Sequence, residues 1–154
     1  MELKKYSEKS LEFIYNEAQK QFDDIMHSFK EITNKSYVLT GIIISTISAT
    51  SILKNFDLQN IILTIVLVIP LFLIYKNLTP TSFVLRGAQP KLMQHEYFER
   101  DLETQYKRYL IQRIEDIQVA ITQNGAILDK RSKRLTRAIA STVILLLISF
   151  FFWF

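Results

Sequence analysis

The chain is 154 residues long, carries a formal net charge of +4 and is 49% hydrophobic. There is room for one compact unit, but the apolar fraction is too high and too unevenly placed for an ordinary soluble domain. Cysteine is absent, which excludes a disulfide framework and a thiolate metal site.

The N-terminal stretch MELKKYSEKSLEF is charged and helical in character, so it is not expected to be a cleavable signal peptide. Residues 1–35 read as a cytoplasmic amphipathic helix. Leu11, Ile14, Ala18, Phe22, Ile25, Phe29 and Ile32 recur every three or four positions, a narrow seam of near-heptad period. No glycine or proline interrupts the chain between Glu2 and Gly41. The helix is therefore expected to run straight into residues 36–53, the first of three uncharged runs.

The other two uncharged runs are 58–75 and 138–154. Each run is about 17–18 residues and, at about 1.5 Å per residue, nearly crosses a ~30 Å hydrocarbon core. The first run is rich in small and hydroxyl side chains. Its Gly41, Ser45, Ser48 and Ala49 share a face, either to pack closely against a neighbouring helix or to line a water-filled path in an oligomer. The short KNFD connection makes residues 36–76 a transmembrane hairpin. Pro70 is expected to kink its second arm near the inner leaflet.

Residues 77–90 form an elbow, because two prolines and a glycine prevent a continuous helix. Arg86, Gly87 and Pro90 are its candidate functional residues, although a plain connection is the commoner case. Residues 91–137 carry a second seam: Phe98, Leu102, Tyr106, Leu110, Ile114, Ile117, Ile121, Asn124, Leu128 and Leu135. An unbroken helix here would reach roughly 70 Å, so it must pair, fold back or oligomerise. Asn124 is placed either to fix an oligomer's register or to mark a break at the turn-like NGA. The cluster Lys130, Arg131, Lys133, Arg134 and Arg137 abuts the last run and suits anionic lipid headgroups, at roughly 1 kcal/mol per basic side chain. Trp153 then marks the outer headgroup level.

Lysine and arginine cluster on one side of the runs, and the KNFD tip carries a single Lys54 offset by Asp57. That bias places the N-terminus inside, the hairpin tip outside, residues 77–137 inside and the C-terminus at the outer face of the membrane. The expected fold class is an all-α integral membrane protein: three transmembrane helices continuous with long amphipathic cytoplasmic helices.

Little in the chain suggests catalysis. There is no phosphate-cradling glycine motif. His27, with Asp23, Asp24 and Glu31 nearby, and His95, beside Glu96 and Glu99, sit on separate helical stretches and read as solvated faces rather than metal sites. Asn34-Lys35-Ser36 and Asn77-Leu78-Thr79 match the glycosylation pattern but fall on the inner side. The runs contain no ionisable residue, which argues against an ion-coupled transporter. No enzyme activity, metal or cofactor is expected.

A cytoplasmic helix with NKS leading into a two-span hairpin, followed by the helix YLIQRIEDIQVAITQNGAILDKRSKRLTRAI, resembles the small membrane effectors of bacterial anti-phage systems, of SLATT and Pycsar type. The resemblance implies a homo-oligomer in contact with membrane lipids, one that disrupts the inner membrane when a soluble partner or a nucleotide signals. The chain carries no recognisable extra domain for direct nucleotide sensing. The expected function is thus a membrane-perturbing defence effector. The alternative is a membrane-anchored scaffold whose coiled helices recruit a soluble partner.

Overall fold

The computed structural model describes residues 6–53, 58–84 and 102–153, with side chains for 6–50, 61–84 and 105–149. Those residues form three α-helices and no strand. The first, α1, spans Glu8–Leu53. Ser7 caps it: its hydroxyl accepts from the Ser10 amide at 3.2 Å, and Glu8 adds a negative charge to the first turn. The second, α2, spans Leu58–Leu78, and the third, α3, spans Leu102–Trp153. Thr79 precedes Pro80, and a residue in that position is pushed out of helical geometry, so α2 ends there.

The chain divides into two units. Unit 1 takes Met1–His27 and Ser82–Ile127. In it the two seams bury against each other. Leu11 clusters with Leu110, Ile111 and Ile114, while Ala18 and Phe22 cluster with Ile117 and Ala120. Early residues meet early residues and later ones meet later ones, so α1 and α3 run parallel. Both seams keep a seven-residue repeat, Leu11 to Ala18 on one helix and Leu110 to Ile117 on the other, the pattern of a parallel coiled-coil pair. The expected need for a partner along residues 91–137 is met, for the described part, within the chain.

Unit 2 takes Ser28–Thr81 and Leu128–Phe154. Leu39 and Ile43 of α1, Leu67 and Ile74 of α2, and Leu135 and Ala138 of α3 form its core. The end of α2 lies beside Ser36 of α1, so α2 runs antiparallel to the other two helices. Buried α2 positions Leu67, Pro70, Ile74 and Asn77 follow alternating steps of three and four, the same 3.5-residue period. Pro70 is wholly buried inside this helix, where it lacks the amide that would bond the Val66 carbonyl.

Two expectations are met in part. Of the three expected spans, one helix among the described residues is long and apolar enough to cross a membrane: Ile61–Leu78, with mean hydropathy 2.3. The first and third runs extend beyond the residues whose side chains are described. The NGA sequence does not break the chain, because α3 continues through Asn124 and Gly125. The elbow residues Arg86, Gly87 and Pro90, and His95, lie outside the described residues.

Candidate functional site

In unit 2 polar residues replace apolar ones at a single layer of the core. Ser36 and Asn77 are wholly buried and Arg131 is 4% exposed. The repeat brings them there. Ser36 falls seven residues after Phe29 and seven before Ile43, Asn77 seven after Pro70, and Arg131 seven before Ala138. The Ser36 hydroxyl donates to the Ile32 carbonyl at 2.8 Å. Asn77 Nδ2 donates to the Arg131 main-chain oxygen at 3.0 Å and to Ser36 Oγ at 3.4 Å. Asn77 Oδ1 is buried with no partner.

The Arg131 guanidinium is held by oxygens that carry no full charge. Nη2 donates to the Thr79 carbonyl at 2.9 Å, to the Thr81 hydroxyl, and at 3.5 Å to the Lys76 carbonyl. Nη1 donates to Thr33 Oγ1 at 3.4 Å, and the Phe29 ring lies 5.6 Å from the guanidinium carbon. Both carbonyls belong to the end of α2, where the helix leaves its last acceptors unpaired and its dipole favours a cation. Among the described residues no carboxylate pairs with Arg131. Burial, with the nearby Arg134 charge second, lowers its pKa from the ordinary arginine value. The group still remains protonated at any physiological pH. Hydrogen bonds to a charged group contribute about 1.5–3 kcal/mol each, against a desolvation cost of several kcal/mol.

This arrangement corrects the reading of the basic cluster. Lys130, Lys133 and Arg137 are exposed and Arg134 is half-buried, whereas Arg131 is buried in the core and not available to a headgroup. Lys133 also pairs with Asp129 at 2.6 Å on the surface, a contact worth little. The side chain of Trp153 lies outside those described.

Gly41, Ser45, Ser48 and Ala49 are all exposed, on the side of α1 opposite Leu39 and Ile43. A Cβ built on Gly41 meets nothing within 4 Å, so among the described residues this face packs against no helix of its own chain. Thr40, Thr46 and Thr50 turn their hydroxyls back to carbonyls of the same helix at 2.8–3.0 Å. Asn124 is wholly buried in unit 1 and engages the Val84 backbone twice: Oδ1 accepts from the amide at 3.2 Å and Nδ2 donates to the carbonyl at 3.0 Å. Its amide therefore fastens the non-helical stretch that follows α2. Among the described residues no group of three His, Cys, Asp or Glu side chains comes together as a metal site.

Sequence reasoning missed the Ser36–Asn77–Arg131 layer. The signal was in the repeat: counting sevens from Leu110 gives Ile117, Asn124, Arg131 and Ala138. Arg131 thus belongs to the seam and not to the flank. Comparison with protein-family models, with curated proteins and with solved structures returns no match.

Proposed function

We propose that the chain is a three-span protein of the bacterial inner membrane that assembles with copies of itself and permeabilises that membrane on a signal from a partner. The observation that carries this reading is the outer surface of unit 2. Val38 and Ile44 on α1, Ile65 and Phe72 on α2, and Val143 and Leu147 on α3 are each at least half exposed, Phe72 to 73%. A soluble protein rarely leaves so large an apolar surface facing water, and lipid covers it at no cost. The candidate span is only 22% buried, unlike the core helix of a soluble bundle.

The direction of the helices is consistent with the positive-inside assignment, since α1 and α3 run together and α2 against them. The unpartnered small-residue face of α1 is where a second copy would approach, and the chain's resemblance to anti-phage effectors makes defence the proposed setting. The scaffold alternative has less support, because the two seams already bury each other in unit 1.

Expression in bacteria with a membrane-potential dye, and size analysis in mild detergent, tests the reading. Depolarisation together with an oligomer is expected. A monomer that leaves the potential intact in the presence of its genomic neighbours rules it out. Replacing Ser45 and Ser48 by Leu refines it: lost depolarisation with an intact oligomer assigns the hydroxyls to a water path, and a lost oligomer assigns them to packing.

A further inference from the structure

We propose that Arg131 is the latch of unit 2: its guanidinium holds the three helices closed at the Ser36–Asn77 layer, and its release into water opens that layer. This rests on the reading of unit 2 as a membrane unit that opens. One side chain from α3 gathers α1 through Thr33 and Phe29, the end of α2 through the Lys76 and Thr79 carbonyls, and the stretch after α2 through Thr81. It thereby ties together every described piece of chain that meets at this layer.

The chemistry of its partners makes the latch releasable. Parting a buried salt bridge forfeits a charge–charge attraction that the low-dielectric interior magnifies. Here the abandoned groups are carbonyls and hydroxyls, which water satisfies as well as the guanidinium does. The guanidinium recovers its own hydration, and Asn77 Oδ1, unpaired in the closed layer, gains a donor. Opening therefore offsets much of its own cost at this layer. The neighbouring layers of Leu39, Ile74, Leu135 and Ala138 offer water no comparable partners.

The absence of cysteine supplies the probe. Ser36→Cys places a single thiol in the layer, and Ala138→Cys places one in the apolar core of the same unit. Labelling by a hydrophilic thiol reagent in native membrane vesicles is then followed in each background with Arg131→Gln, which removes the latch, and with Thr33→Asp, which sets a carboxylate opposite Arg131. Arg131→Gln is expected to speed labelling of the thiol at position 36 about tenfold, the change that ~1.4 kcal/mol makes, and to leave the thiol at position 138 unreactive. Thr33→Asp is expected to slow labelling at position 36 below its rate with Thr33 intact, and Thr33→Asn to leave it unchanged.

Equal acceleration at positions 36 and 138 shows that Arg131 supports the whole fold, and overturns the latch. So does a labelling rate at position 36 indifferent to Thr33→Asp when circular dichroism shows the helices intact. If Thr33→Asp does not fold, Thr33→Glu replaces it under the same criteria. Dye release from the same vesicles is read separately. Vesicles that never leak refute the permeabilising reading while the two thiol rates still decide the latch.

Discussion

The same two helices, α1 and α3, run through both units, yet the units present different outer surfaces. In unit 1 the core is a run of Leu, Ile, Ala and Phe broken by Asn124, and the large apolar side chains left exposed among the described residues are Phe13, Tyr106, Tyr109 and Val119. In unit 2 every other exposed large hydrophobic is found, and the core contains Ser36, Asn77, Thr142 and Arg131. A heptad seam serves equally well in both. The seam reports only that helices pair, whereas the outer face is where the two units differ.

Val68 in α2 and Val119 in α3 let that contrast be broken with one kind of substitution, since they are 50% and 53% exposed. Val68→Lys puts a charge near the middle of the candidate span, at a cost of about 2.5–3.5 kcal/mol if that face meets lipid. Val119→Lys changes stability by no more than about 0.5 kcal/mol. The expected outcome is loss of the Val68→Lys protein from the carbonate-resistant membrane fraction, with Val119→Lys retained. Equal behaviour of the two would make unit 2 an ordinary soluble unit.

Two buried asparagines sharpen the contrast further. Asn124 has both amide atoms engaged by Val84, and its replacement by Leu leaves a part-buried main-chain amide and carbonyl unpaired. A loss of about 1–3 kcal/mol is expected, read as a lower unfolding midpoint in detergent. Asn77 surrenders two donated bonds when changed to Leu, but the unpaired Oδ1 goes with them. Asn77→Leu is therefore expected to stay within about 1 kcal/mol of the unaltered protein. The same substitution at two wholly buried sites should thus give unequal results.

Much of this architecture was legible because periodicity is local. The seam from Leu11 to Ile32 and the continuity of α1 past Lys35 follow from spacing and from the absence of Gly and Pro. The polar layer was less accessible, since it depends on which residue of α2 stands opposite Ser36, and register between helices is not written in any one segment. Arg131 was misassigned for a physical reason: beside Lys130, Lys133 and Arg134 its charge looks like part of a flank, and only its phase in the repeat sets it apart. The site of Asn124 was found, but its partner was not, because Val84 offers backbone and not a side chain.

The smallest expected effect lies at the edge of unit 1, where the Tyr106 hydroxyl donates to Glu12 at 2.9 Å. That hydrogen bond, and secondarily desolvation and nearby carboxylate charge, raise the tyrosine pKa above its ordinary value of 10.0. A group whose pKa is higher in the folded state contributes stability below its unfolded pKa and loses it as pH rises through the folded one. The contact should therefore be intact at neutral pH and fade above about pH 10. Tyr106→Phe is expected to unfold at nearly the same temperature at pH 7, because the pair is exposed to water and salt. The difference between the two proteins should narrow further as the pH is taken above 10. A difference that widens there would mean that the phenolate, not the phenol, is the form unit 1 holds. The carboxylate of Glu12 would then have to lie farther from the ring oxygen than a hydrogen bond allows.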